Sequence, residues 1–179
     1  MRIIHSSEFV EGRWRNGMGI SWDIAASPEG AEDFGWRFAI ARIDADVPFS
    51  HYAGVDRIFT LIAGQGLDLA LEGRPALVVD KLFVPHVHPC DVPTFCSLRN
   101  GPARALNLFY RRGQWRADVD IISSNARIAH PGPILLFALE GNPGVDGAEL
   151  PQGDAALTVD SLSIAIDGAL LYVAKLTAE

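Results

Sequence analysis

The sequence predicts an all-β protein, a barrel or sandwich assembled from two similar β-units. Three observations predict it. Most segments alternate apolar and polar residues or run in short apolar blocks rich in Val, Ile, Leu and Phe, as half-buried and fully buried strands do. Gly, Pro, Asn and Asp cut these blocks at the short intervals of a β-meander, and stretches with helical period are scarce. A weak internal echo also runs along the chain: "IFTLIAGQGLDLAL" returns as "ILLFALEGNPGVDGAEL", and "ARALNLFYR" returns as "GALLYVAKL".

Taken in order, strands are expected at 35–44, 57–64, 67–73, 76–83, 94–99, 103–112 and 116–123, then at 133–141, 155–160, 162–167 and 169–176. "AGQGLDL", "LEGRPAL" and "RNGP" put glycine where a hairpin needs positive φ, so the flanking strands are expected to pair antiparallel. The echo divides the chain into a unit over 1–115 and a unit over 116–179, with the changeover inside "RRGQWRADVDIISSNARIAHPGP". Strands exchanged between the units are compatible with that division.

A chain of 179 residues is long enough for one full core or for two small halves sharing an interface. With 49% apolar and 21% charged residues it reads as globular. A net charge of -7 offers no general attraction to nucleic acid or to an anionic membrane, so neither is an expected partner. The start, "MRIIHSSEFVEGRW", carries Glu8 and Glu11 and lacks the apolar run of a secretory signal, and no segment reaches transmembrane length. Cys90 and Cys96 have no second pair to form a disulfide framework or zinc knuckle. A reduced, cytoplasmic protein is expected, and exposed sheet edges leave room for a homodimer.

Four clusters carry candidate chemistry. In "PHVHPCD", His86 and His88 stand two apart, so on a strand both imidazoles point to one face and can meet one ion, with Asp91 close behind. Pro85 and Pro89 bracket the pair and push the segment to an edge strand or loop, and a catalytic metal normally takes three protein ligands. The other histidines, His5, His51 and His130, have no spacing that recommends them. No cofactor is therefore expected, with a divalent metal as the rival.

In "GRWRNGMGISWDI", an aromatic, a guanidinium and a carboxamide run together at Trp14, Arg15 and Asn16, directly before glycines at 17 and 19. Asn donates and accepts, and the Arg fork suits a carboxylate, so the cluster can close over a small acid. On composition alone it reads first as a turn, since Asn-Gly is foremost a turn signal, with Trp14 in the core, Asn16 capping and Arg15 paired to a surface acid. In "VPFSHYAGVDRIFTLIAGQG", Asp56 and Arg57 face opposite ways; if Arg57 points inward with Phe59 and Leu61, it needs an acid or a ligand. In "ARALNLFYRRG", Asn107 faces away from Leu106 and Leu108, and an inward Asn needs hydrogen-bond partners from ligand, loop or backbone.

At these clusters the sequence resembles the HutD/Ves family, whose pattern runs W-[RK]-N-G-G-G-x-T-x-E-I, then F-S-x-x-x-G-x-D-R-x-x-x-L-x-x-G-x-G, then G-P-x-x-x-x-N-x-x-x-R-R. The chain has "WRNGMGISWDI", "FSHYAGVDRIFTLIAGQG" and "GPARALNLFYRRG" in that order, and "GWRFAIARID" is similar to the family's W-R-x-S-x-A segment. It departs at Met18 for the central glycine, Ser21 for Thr and Asp23 for Glu, and "PHVHPCD" differs from the family's F-P-G segment. The resemblance implies a cupin-like (RmlC-like) double β-barrel in one chain, built from two duplicated β-units, in a bacterial protein that generally lacks the usual cupin metal histidines. It carries no established reaction. It implies a binding or regulatory role in histidine utilisation or stress response, with urocanate or formylglutamate-like acids as candidate ligands. The ligand-binding residues expected on this basis are Trp14, Arg15, Asn16, Trp36, Ser50, Arg57 and Asn107. The alternative is a metal-dependent cupin enzyme using His86, His88 and Asp91.

Overall fold

The structure, a computed structural model, describes residues 1–179. Nineteen strands and one 3₁₀ turn (Ser6–Glu8) make up its regular elements. The strands are β1 (Arg2–Ile4), β2 (Val10–Arg13), β3 (Ile20–Ser27), β4 (Trp36–Ile43), β5 (Val47–Pro48), β6 (Val55–Ala63), β7 (Leu67–Leu71) and β8 (Leu77–Val79). They continue as β9 (Pro85–Pro89), β10 (Thr94–Leu98), β11 (Ala103–Arg111), β12 (Trp115–Ile122), β13 (Ala126–Ile128) and β14 (Ile134–Glu140). The last are β15 (Gly144–Val145), β16 (Ala148–Glu149), β17 (Ala155–Thr158), β18 (Leu162–Ala165) and β19 (Leu170–Ala178). The protein is all-β, and every strand expected from the sequence is present.

The chain divides into two compact units, one of Val10–Gln114 and one of Met1–Phe9 with Trp115–Glu179. The first nine residues join the C-terminal unit because β1 pairs antiparallel with β17. His5 Nδ1 and the Ser6 amide both bind the Asp154 carboxylate, each at 2.7 Å, and so hold that segment in place.

The unit of Val10–Gln114 has a six-stranded sheet, β2-β3-β4-β11-β6-β9, and a four-stranded sheet, β5-β10-β7-β8. The other unit has the sheets β1-β17-β14-β19-β12 and β13-β18-β15-β16. The orders correspond strand for strand. Reading β4 to β11 as β12 to β19 converts β4-β11-β6-β9 into β12-β19-β14-β17, and β5-β10-β7-β8 into β13-β18-β15-β16. The echo in the sequence is this repeat: β6 returns as β14 and β11 as β19. Strands β1, β2 and β3 lie outside it.

Glycine enables the tight turns between sheets. Gly64 and Gly66 have φ of +106° and +109°, and a Cβ on Gly64 would lie 2.8 Å from the Pro102 carbonyl oxygen. In the N-terminal unit Phe59, Leu61, Leu67, Leu69 and Cys96 fill the core. In the other unit Ile134, Leu136, Leu171, Val173 and Ile164 do so.

Gly132 sits against β19, where an added Cβ would lie 2.1 Å from the Leu176 carbonyl oxygen. A backbone atom held in a sheet cannot yield cheaply, so Gly132→Ala is expected to lower unfolding stability by about 1–3 kcal/mol. Urea denaturation measures it, and an unchanged midpoint contradicts the close packing of Gly132 on β19.

Candidate functional site

The register of the six-stranded sheet determines which side chains meet. Arg37 stands opposite Phe109, Phe109 opposite Arg57, and Arg57 opposite His88, so one inward row crosses β4, β11, β6 and β9. The next row runs Asp23, Ala39, Asn107, Phe59 and His86, and the one after it Ser21, Ala41, Ala105 and Leu61. Alternation sends Trp36, Phe38, Leu106, Leu108 and Ile58 to the opposite face.

These rows line a narrow cavity with Trp14, Phe49, Ser50 and Tyr52. The cavity has a volume of about 30 Å³. That is room for about two waters. Ala39 and Ala41 leave the gap, and Phe59, Phe49 and Phe109 wall it.

Arg57 is the dominant feature. It is 6% exposed, its Nε donates to Cys90 Sγ at 3.4 Å, and its Nη1 donates to Asn107 Oδ1 at 3.4 Å. Its guanidinium carbon lies 4.7 Å from the Phe49 ring centroid and 4.8 Å from that of Phe109. No carboxylate pairs with it. Arg37, by contrast, is neutralised: Nε and Nη2 donate to Asp23 Oδ1, and Nη2 also donates to Ser21 Oγ at 3.2 Å.

The expected site residues fall in four places. Arg57, Asn107, Trp14 and Ser50 line the cavity. Asn107 is spent on Arg57 and on the Ala105 carbonyl, which accepts its Nδ2–H at 3.1 Å, so it positions the guanidinium. Trp14 packs edge-on to Phe49 with centroids 5.7 Å apart, and its Nε1 donates to the Ile20 carbonyl. Gly19 beside it has no room for a Cβ, which would lie 2.4 Å from the Trp14 ring.

Asn16 ties the 14–19 turn down. Its Nδ2 donates to the Pro48 carbonyl at 2.8 Å, its Oδ1 accepts from Met18, and its amide donates to Ser50 Oγ. Arg15 lies over the Tyr52 ring at 5.4 Å and lines a separate, wider depression with Glu32, Asp33, Phe34 and Arg111. Trp36 is buried on the sheet face turned away from the cavity, and its Nε1 lacks a hydrogen-bond partner. Arg37, Tyr52, Phe49 and Phe109 complete the cavity and were not singled out by the sequence. Alternation was the available signal, since Arg37 and Phe109 fall on the same inward face as Ala39 and Asn107.

"PHVHP" is an edge strand, β9, pairing only with β6. His86 and His88 do point to one face, and the Nε2 of each is buried without a partner. His88 Nδ1 lies 3.1 Å from the Pro89 carbonyl, the contact of an Nδ1–H donor. Asp91 does not join them: it accepts from Arg112 Nη2 and from the Gly54 amide. No three His, Cys, Asp or Glu side chains are grouped to hold a metal ion. Burial pushes the Cys90 thiol up and the Cys96 thiol to about 12, so neither supplies a thiolate at neutral pH.

The two-sheet units are those of cupin proteins. A cupin 2 conserved barrel domain protein from Leptotrichia buccalis matches with a TM-score of 0.58 at 10% identity, covering 99% of this chain and 96% of that one. No helix is long and apolar enough to cross a membrane. The sequence pattern of HutD matches residues 6–173, and the chain belongs to the HutD family. The structure of HutD from Pseudomonas fluorescens SBW25 (formate condition) matches with a TM-score of 0.86 at 26% identity, covering 99% of this chain and 98% of that one. Protein Ves of Citrobacter koseri is 34% identical over 157 residues, 87% of this chain and 78% of that protein.

Burial, then the charge on Arg57, lowers the His88 pKa from 6.5 to about 3. A depressed histidine contributes stability that is complete above its unfolded pKa and lost as pH falls through the folded one, here from about 6.5 toward 3. Between pH 7 and pH 5 the loss is about 2 kcal/mol. Urea unfolding at both pH values tests this against His88→Asn, whose amide can still donate to Pro89. The variant is expected to lose about 2 kcal/mol less on acidification, and equal losses would refute the assignment.

Proposed function

We propose that this protein binds a small organic acid inside its N-terminal unit, and that Arg57 holds the carboxylate. One observation carries the reading: a buried guanidinium with no carboxylate partner faces a cavity. Burying an isolated charge is costly, and thiol, amide and ring contacts offset only part of the lost hydration. A ligand carboxylate supplies the missing anion. Asn107 and Cys90 orient the guanidinium toward it. The Ser50 hydroxyl, which accepts from the Asn16 amide, keeps its own proton to donate.

Family membership adds the setting. The role we infer is accessory or regulatory rather than catalytic, in histidine utilisation or stress response in the cytoplasm. Urocanate and formylglutamate are acids to try first.

Arg57→Met removes the charge and keeps the bulk. Calorimetry with the acids is expected to show binding weakened by at least about 3 kcal/mol, more than a hundredfold. The same variant is expected to be as stable as wild type or more so in the absence of acid, because an uncompensated buried charge has been replaced by an apolar chain. A structural role predicts the reverse: a destabilised variant that still binds. Flat calorimetric traces for the wild type across a panel of acids would sink the proposal.

A second reading, a metal-dependent enzyme, is favoured by the two buried and unpartnered Nε2 atoms of His86 and His88. Two imidazoles are one ligand short of the usual catalytic site. Elemental analysis decides: stoichiometric metal that disappears in the His86→Ala/His88→Ala double variant supports it, and metal-free protein of full stability removes it.

A further inference from the structure

The depression beside the Arg57 cavity carries charges of a different kind. Only Tyr52 lines both, so its side chain is the wall between them. The depression has a volume of about 220 Å³, against about 30 Å³ for the cavity, and neither Arg57 nor Asn107 lines it.

Its floor is apolar and fixed. Phe34, Tyr52 and Val55 are buried there, with the Phe34 and Tyr52 ring centroids 5.7 Å apart. Phe109 packs on both rings, at 6.0 Å from Phe34 and 5.6 Å from Tyr52. The Tyr52 amide donates to the Cys90 carbonyl at 2.9 Å, and the Asn16 side chain holds the turn that carries Arg15. A small molecule entering the depression therefore meets rings already in place, and few side chains are left to order when it binds.

Four charged side chains surround this floor: Arg15, Arg111, Glu32 and Asp33. Arg111 is taken, because its Nη2 donates to Asp33 and its Nη1 to the Ala53 carbonyl at 3.4 Å. Arg15 and Glu32 are free. The Arg15 guanidinium lies over the Tyr52 ring at 5.4 Å, and neither it nor the Glu32 carboxylate makes a hydrogen bond or ion pair within the protein. Stacking engages the face of a guanidinium and leaves its in-plane N–H groups for a carboxylate. The Glu32 carboxylate offers the complementary acceptor for a cation. The four charges sum to zero, so a ligand with a single charge is attracted by one free group and repelled by the other. A ligand with both charges gains from both.

We propose that this depression is a second binding site, for an apolar α-amino acid in its zwitterionic form. Arg15 holds the carboxylate, Glu32 holds the ammonium, and the apolar side chain lies on Phe34, Tyr52 and Val55. The site is independent of the acid-binding reading of the preceding subsection. Its charged groups are exposed, so binding weakens as salt is added.

The test is an NMR titration of the isotope-labelled full chain at low ionic strength with phenylalanine, 3-phenylpropionate and phenethylamine. All three carry one ring; phenylpropionate lacks the ammonium and phenethylamine lacks the carboxylate. Affinities are read from the amides of Arg15, Glu32, Phe34 and Ala53, so an acid that enters the Arg57 cavity is told apart from one in the depression. Phenylalanine is expected to shift these amides and to bind about fivefold more tightly than either analogue, the scale of one exposed ion pair. Arg15→Gln and Glu32→Gln are each expected to weaken it about fivefold; both side chains are exposed, so the variants keep the fold. Arg57→Met is expected to bind phenylalanine as the wild type does. An analogue that matches phenylalanine, or equal binding by the two glutamine variants, overturns the pairing with Arg15 and Glu32. Phenylalanine binding that is lost in Arg57→Met, or shifts centred on Phe59 and Asn107, puts the amino acid in the cavity and overturns the second site. Absence of any shift with phenylalanine overturns it as well, whatever the acids of the preceding subsection do.

Discussion

Antiparallel pairing of β6 with β11 is the constraint on which the N-terminal unit turns. It places Arg57 opposite Phe109 and Asn107 opposite Phe59, and the neighbouring strands extend the same rows to Arg37 on one side and His88 on the other. Once Phe59 and Leu61 face the core, a strand with a period of two must carry Arg57 inward with them. The chain then accommodates a buried cation with two ring faces, an amide oxygen and a thiol, none of which carries a negative charge. Burial lowers the pKa of His88 and the Arg57 charge lowers it further, while the shape of the cavity follows from the same strand pairing.

The repeat shows how far fold and site are separable. Strands β4 to β11 and β12 to β19 follow the same order in both sheets. The first set encloses the buried Arg57, Asn107 and His88. In the second, Ile134, Leu136, Leu171 and Val173 occupy the paired strands and fill the interior. One copy of the unit is packed with hydrocarbon and the other keeps a gap beside a guanidinium, so the site belongs to a few side chains rather than to the architecture. The structural likeness to a cupin domain at 10% identity accordingly speaks for the frame alone.

Local motifs proved to be of two kinds. "WRNGMG" is dense in functional groups, but much of its chemistry is used to build a turn: Asn16 binds Pro48 and Met18, and Trp14 binds the Ile20 carbonyl. It bounds the cavity through the Trp14 ring. "PHVHP" proved to be the edge strand that its prolines indicate, with both imidazoles turned inward beside Arg57 and Phe59. Neighbours in sequence need not share a site, as Asp91 shows by joining Arg112 instead.

Alternation, turn residues and the internal echo determined from sequence alone that the chain is all-β and repeated, because period-two burial and glycine turns are local properties that a strand carries with it. The same alternation set Arg57 on one face with Phe59 and Leu61, and Asn107 opposite Leu106 and Leu108, without deciding that either points inward. It left open whether an acid from elsewhere in the chain would reach them. Tertiary structure decided that Asp23 goes to Arg37 and that no carboxylate goes to Arg57, that Trp36 faces away, and that Arg15 stands over Tyr52 outside the cavity. The pairing of Asp23 with Arg37 and the isolation of Arg57 depend on register between strands far apart in sequence, which a one-residue slip would reverse.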